Sequence, residues 1–357
     1  MSTPPDRTVP ADAAPEPRRL TLGFHTRIPF VAGHEAEGLR DGIALFRVAE
    51  QLGFDTGWVY QRHFDNYLAA PLVFHAAVAQ HTERIGLGTA IIGIRYEDPV
   101  LLAEAAGTAD LLTGGRLQLG LGTGQGGYDR AFGQQPSDGR DEAQARLARF
   151  LAGVRGEVLD TIDDPDAPVA LGADLTVRPV SPGLADRVWF GAGSVASAER
   201  VGRQGLRLLL STILSGRVDD YNAEQERAIA AYRRVHAGPG APRVSVSRSF
   251  LPATTSEVER LYAAYDVERR TVGPAAARPA GALTPARSGA GRLSVSPVIH
   301  GDPAFVVDTL LDDAAVQQAD NLIAFLPPSF GLAENIRLLE DIVETVAPEL
   351  GWEPASA

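Results

Sequence analysis

The chain has 357 residues, 45% hydrophobic and 22% charged, which is ordinary globular material and enough for one large α/β domain or two smaller ones. Its 33 basic residues against 45 acidic ones leave a net charge of −12 with no basic run, which argues against nucleic-acid and anionic-membrane partners and toward a small molecule. The absence of cysteine excludes disulfides, thiolate metal sites and cysteine nucleophiles, and is compatible with a reducing cytoplasm.

Residues 1–17 are rich in Pro, Ala and charge and lack the apolar core of a signal peptide, so they read as a disordered leader. No apolar run approaches the ~20 residues that span a bilayer, so a soluble, cytoplasmic protein without a metal site is expected. From there, short apolar runs of strand length alternate with runs of helical period. Strands are predicted at 20–25, 56–60, 85–94, 116–121, 187–190, 206–211, 244–250 and 321–326. Helices are predicted near 38–52, 71–82, 99–112, 141–155, 195–204, 219–235, 256–268, 303–319 and 332–346. Two of these open on Asp98-Pro99 and Asp302-Pro303, with proline at the first helical position. Eight strands in strict alternation with helices imply a parallel sheet with helical crossovers, and eight is the number that closes a (β/α)8 TIM barrel; a doubly wound open sheet is the alternative. Residues 18–352 would form this single domain.

After the seventh strand, a Pro/Gly/Ala/Arg stretch within 268–297 is too long for an ordinary connection. It reads as a mobile lid insertion on the side where barrel loops build the site, ahead of a functionless insertion.

In a barrel, polar residues just past the strand ends are the ones to collect. They are His25, Arg62 with His63, the turn from Gly88 to Gly93, the run from Gly122 to Tyr128, and the turn from Gly191 to Ser197. A histidine at a strand end is as often a structural hydrogen-bond partner as a base, which is the bland alternative for His63. His75 and His81 lie inside a helical run and read as packing or surface residues, His236 and His300 as loop residues. The segment WFGAGSVASAERVG is a strand, small residues and then a helix, whose N-terminal amides together with Ser194 and Ser197 would cradle a phosphate. Serine is also a common helix cap. The run GLGTGQGGY lets backbone approach a ligand closely, with Thr123 adding a hydroxyl, but no helix opens directly from it as a dinucleotide fingerprint requires. It reads as a loop shaped over a flat ligand.

Three segments, LGFDTGWVYQRHF, TERIGLGTAIIGIRYEDPVLLAEAAGTADLLTGGRLQLGLGTG and AGSVASAERVGRQGL, resemble the bacterial luciferase-like flavin-dependent monooxygenases in order and spacing. The resemblance is strong over 20–133, moderate over 188–210 and weak over 301–350. It implies a (β/α)8 barrel that binds FMN, usually reduced, at the C-terminal face. The third strand would carry a non-proline cis peptide beside the flavin ring, here Ala90 to Ile91 within Thr89-Ala90-Ile91. The flavin phosphate would sit on Gly193, Ser194, Val195 and Ser197, with Gly122 and Thr123 also against the cofactor.

The sequence departs from the luciferases themselves at two places. Where they carry Glu-His-His-Phe, this chain has Gln61-Arg62-His63-Phe64, so Arg62 occupies the position of the histidine linked to catalysis and cannot act as a base. Where they use an arginine for the phosphate, GLGTG presents Thr123, and light emission is not implied. The resulting expectation is a two-component monooxygenase: a separate flavin reductase delivers reduced FMN, O2 reacts at the ring, and a small organic substrate is oxidised. His63 and Tyr128 would handle protons and Arg62 would anchor flavin or substrate, within a homodimer formed through the helices after the second and third strands. The alternatives are a reductase or dehydrogenase using the deazaflavin coenzyme, and a flavin-binding protein without turnover.

Overall fold

The computed structural model describes residues 19–135, 139–272 and 293–354. The expected leader, residues 1–17, and most of the expected lid, 273–292, lie outside the described residues. Among the described residues no helix is long and apolar enough to cross a membrane.

Eight parallel strands close into a barrel: β1 (Thr21–Thr26), β2 (Thr56–Val59), β3 (Gly86–Thr89), β4 (Leu117–Gly122), β5 (Val188–Ala192), β6 (Arg207–Leu210), β7 (Val244–Pro252) and β8 (Asn321–Phe325). Each pairs in parallel with the next, and β8 pairs with β1 in the register Thr21 to Asn321 through His25 to Phe325, which completes the ring. The (β/α)8 barrel expected from the alternation is therefore the fold, and the open sheet is excluded.

The crossovers are α1 (Glu35–Gln51), α2 (Pro71–Val78), α3 (Pro99–Leu112), α4 (Arg140–Val154), α5 (Val195–Arg203), α6 (Tyr221–Val235), α7 (Ser256–Val272), α8 (Pro303–Leu311), α9 (Ala314–Gln317) and α10 (Leu332–Thr345). Start signals work as read: the Asp98 carboxylate accepts from the amides of Val100 and Leu101 at 2.9 and 3.0 Å, and Asp302 from that of Ala304 at 2.9 Å. Two elements differ from the expectation. The helix expected over 303–319 is two helices, because Asp313 takes the amides of Ala315 and Val316 and so starts a new one. The strand expected over 85–94 stops at Thr89; the Ala90–Ile91 bond is cis, Ile92–Gly93 makes a short separate pairing with β4, and Ile94–Tyr96 is a 3-10 turn.

α7 runs to Val272, beyond the expected end at 268, and Leu293–Val295 pairs antiparallel with Ile213–Ser215 after β6. His300 lies in a strand, Val298–Gly301, added to β7, and not in a loop. His75 is buried and its Nε2 donates to the Gly88 carbonyl (2.8 Å), whereas His81 is exposed, so the one is a packing residue and the other a surface residue, as read.

The large apolar cluster fills the space between strands and helices. A smaller one plugs the barrel itself: Trp58, Trp189, Leu209 and Ile323, with the two indoles edge to face at 5.7 Å and Ala90 and Ile91 packed against the group. The barrel interior is thus a packed core, and a ligand can be held only above it.

Candidate active site

The platform above that plug is built from backbone. The Ala90 carbonyl meets the His25 Nε2 at 3.2 Å, and the ring of His25 stacks on Phe325 with 5.0 Å between centroids. Burial, with help from the nearby Arg27 charge, pushes the His25 pKa down to about 3, so the ring is neutral and its Nε2 proton goes to Ala90. The side chain of Ile91 lies over β4 and β5, where a Cβ on Gly122 would come within 2.9 Å of Ile91 Cδ1. A flat, apolar shelf at the barrel mouth is the result.

Beside the shelf is a cleft lined by Tyr60, Gln61, Arg62, His63, Ile91, Gly93, Tyr96, Gly124, Gln125 and Tyr128. Its two walls meet because Gly93 and Gly124 touch backbone to backbone; a Cβ on Gly93 would stand 2.9 Å from the Gly124 Cα, and Gly124 takes a φ of +88°. Gln61 ties the wall after β2 to the turn after β3: its amide donates to Glu97 (2.8 Å) and accepts from the Gly93 amide (3.0 Å). Arg62 donates to Asp65 (3.2 Å) and to Gln125 (2.8 Å). Burial works against its charge, but the phenols of Tyr60 and Tyr128 and the Asp65 carboxylate more than offset that, and its pKa lies above the ordinary arginine value.

His63 sits among Phe132 (4.9 Å between centroids), Tyr96 and Phe64. Burial lowers its pKa against the opposing pull of Glu97, and its Nε2 is buried with no hydrogen-bond partner in the structure. A neutral imidazole with one open nitrogen in an aromatic pocket can accept or give a proton near neutral pH. The Tyr128 amide donates to the Tyr96 hydroxyl at 3.1 Å, which fixes the second aromatic wall.

The turn after β5 is a helix start whose two serines serve each other. Ser194 accepts from the Ser197 amide (3.3 Å), and the Ser197 hydroxyl accepts from the Ser194 amide (3.0 Å) and donates to the Ser194 carbonyl (2.8 Å). With those hydroxyls engaged in capping, an anion would be met chiefly by the first amides of α5, at Val195 and Ala196, which have no intrahelical acceptor. Gly193 is pressed on Ser215, whose amide donates to its carbonyl at 2.7 Å.

The site residues anticipated from sequence therefore fall in three places. His63, Arg62 and Tyr128 share the cleft; Ala90, Ile91 and Gly122 form the shelf; Gly193, Ser194, Val195 and Ser197 make the helix start. Thr89 is buried below them, its hydroxyl donating to the Gly120 carbonyl (2.7 Å) and accepting from the Gly120 amide (2.9 Å), so it stitches β3 to β4. Thr123 contributes its carbonyl to the Arg95 amide. Gln125, within the collected run from Gly122 to Tyr128, is a cleft wall; sequence reasoning missed Tyr60 and Tyr96 as walls and the buried Arg95–Asp129 ion pair beneath them. Collecting side chains a few residues further past the third strand would have found Tyr96.

Residues 22–316 match the family model described as luciferase-like monooxygenase. Limonene 1,2-monooxygenase of Rhodococcus erythropolis is 31% identical over 186 residues, 47% of this chain and 47% of that protein. An F420-dependent glucose-6-phosphate dehydrogenase of Beutenbergia cavernae is 32% identical over 167 residues, 41% of this chain and 49% of that one. The matches thus span about half the length of these curated relatives. The fold is shared with the oxygenating constituent of 3,6-diketocamphane monooxygenase from the CAM plasmid of Pseudomonas putida, solved in complex with FMN: TM-score 0.63 at 16% identity, covering 92% of this chain and 98% of that one.

Proposed function

This chain belongs to the luciferase-like monooxygenase family, and on that premise we propose that it oxidises a small organic substrate with O2 and reduced FMN supplied by a separate reductase. The observation that carries the reading is the Ala90–Ile91 shelf: a flat backbone surface above a sealed barrel, narrowed by glycines and bordered by an open imidazole nitrogen. Ala90, Ile91 and Gly122 would lie against the ring, and the β5–α5 turn at Gly193, Ser194, Val195 and Ser197 would take the phosphate through its amides. Thr89 would support that shelf from below, and Thr123 would border it. When bound, reduced FMN supplies the electrons for oxygen activation. The chain's own share is to orient the ring, keep water away with Ile91 and the aromatic walls, and move a proton at His63 Nε2, with the Tyr128 hydroxyl as a second candidate. Arg62, held by Asp65 and Gln125, would fix charge at the cleft edge.

The test is titration of the protein with FMN and with F420 by fluorescence, followed by oxygen uptake with photoreduced FMN in the presence of a panel of terpenes, ketones and acids. FMN binding with substrate-dependent uptake is expected; binding of F420 in preference to FMN would overturn the reading. A second reading, a deazaflavin-dependent reductase or dehydrogenase, is favoured by the F420-dependent relative at 32% identity. We further propose one working domain over 18–352, a cytoplasmic location, and a homodimer through α2 and α3, whose outer faces leave Val73, Leu101 and Leu112 exposed.

A further inference from the structure

The barrel mouth has a second polar feature across from the β5–α5 turn. Phe325, at the end of β8, is flanked by two guanidinium groups, with the Arg27 carbon 5.6 Å and the Arg269 carbon 5.3 Å from its ring centroid. Arg27, which follows β1, also lies 5.5 Å from the ring of Tyr60, a wall of the cleft. Neither arginine forms an ion pair among the described residues. Arg269, on α7, is only 4% exposed; its Nη1 reaches the Tyr265 hydroxyl at 3.4 Å, while its Nε and Nη2 are buried with no hydrogen-bond partner. The Nε of Arg27 is in the same condition.

The neighbouring buried arginine shows what a structural role looks like. Arg248 is equally enclosed, yet it donates to Asp313 (2.8 and 3.2 Å) and Gln225 (2.6 Å). Among the described residues Arg269 has no such acceptors. A guanidinium cannot shed its proton in a protein, and aromatic faces compensate its charge without accepting its N–H groups in line. Buried unmet donors of this kind fit a ligand that brings the acceptors, and a planar guanidinium matches a carboxylate best. β1 and β8 are on the opposite side of the ring of strands from β5, so an anion here is separate from one held at the start of α5.

We propose that Arg27 and Arg269 form a subsite for the carboxylate of an acidic organic substrate, whose apolar remainder extends over Tyr60 and Ile91 toward the cleft. That the occupant is the substrate rests on the flavin-monooxygenase reading; that the subsite binds a carboxylate does not. The test is isothermal titration of the flavin-free, full-length protein with hexanoate and with its neutral counterpart hexanamide, with FMN titrated separately by fluorescence. Hexanoate should bind at least about tenfold more tightly than hexanamide, the scale of a charge-assisted contact. Arg269→Met, which keeps apolar bulk over Phe325, should erase that preference and leave FMN affinity within about twofold. Arg27→Gln, checked with Arg269→Met for native near-ultraviolet dichroism, should weaken hexanoate alone. Equal binding of acid and amide by the unaltered protein would overturn the subsite. So would a parallel loss of FMN affinity in Arg269→Met, which would assign the guanidinium to the flavin phosphate. Hexanoate preference without FMN binding would leave the subsite standing and sink the flavin reading.

Discussion

Acid should destabilise this protein well above the range in which carboxylates titrate, and two buried histidines should account for it. Burial holds His25 neutral down to about pH 3 and His75 down to about pH 4, each from an ordinary value of 6.5. For a lowered histidine pKa the unfolded chain binds the proton more readily than the folded one. The stabilisation is therefore complete above pH 6.5 and is lost as the pH falls toward the folded values. Between pH 7 and pH 5 each histidine should cost about 2 kcal/mol, so the pair costs about 4 kcal/mol, a large part of a typical folding free energy. Urea unfolding followed by tryptophan fluorescence at half-unit steps from pH 7.5 to 5 reads this directly. His75→Gln, which can still donate to the Gly88 carbonyl, should lower stability at pH 7 yet halve the dependence on pH. A flat profile in the unaltered protein, or an unchanged slope in His75→Gln, would refute the reasoning.

Three further outcomes test the site and its supports. Gly122→Val should displace Ile91, whose Cδ1 would stand 2.9 Å from the new Cβ, and weaken FMN binding by about tenfold or more with the fold intact; fluorescence titration and circular dichroism check both halves. His63→Ala should slow single-turnover oxygenation by about 100-fold at unchanged FMN affinity, as expected for removal of a proton-handling group, and stopped-flow absorbance measures it. Asp110→Ala should cost about 3–5 kcal/mol in urea unfolding, because its buried carboxylate joins Arg187 (2.6 Å), the Ser181 hydroxyl (2.6 Å) and the Leu117 amide (3.1 Å) and its loss strands a charge.

The barrel was legible because its signals are local and repeated: each strand run is short and apolar, and helices such as α3 and α8 announce themselves by Asp-Pro. The split of α8 from α9 was written in Asp313, but an aspartate inside a helical pattern reads as surface until its two amide partners and Arg248 are seen. The Ala90–Ile91 cis bond came from family resemblance, since nothing in Thr89-Ala90-Ile91 itself announces it. The cleft walls were least legible. Tyr96, Gln125 and Phe132 meet His63 or Arg62 only because Gly93 and Gly124 let two loops touch, and such a contact has no sequence period.

The same loops explain how the unusual Gln61-Arg62 pair is compatible with a working site. Gln61 spends its amide nitrogen on Glu97 and its oxygen on the Gly93 amide, so it pins the two loops together and cannot hold a proton in transit. Arg62 spends its guanidinium on Asp65 and Gln125, and its charge is permanent. Of the three polar residues that follow β2, only His63 keeps a nitrogen without a partner, in a pocket that favours its neutral form. Acid-base work in the cleft therefore converges on His63, while Arg62 keeps a permanent charge and takes no part in it. Burial resists protonation of His63 against the pull of Glu97, so a rate that depends on the neutral imidazole should persist below pH 6.5, and Phe132→Ala, which uncovers the ring, should shift that acid limb upward. An acid limb that stays in place in Phe132→Ala would show that His63 is not the group the rate reports.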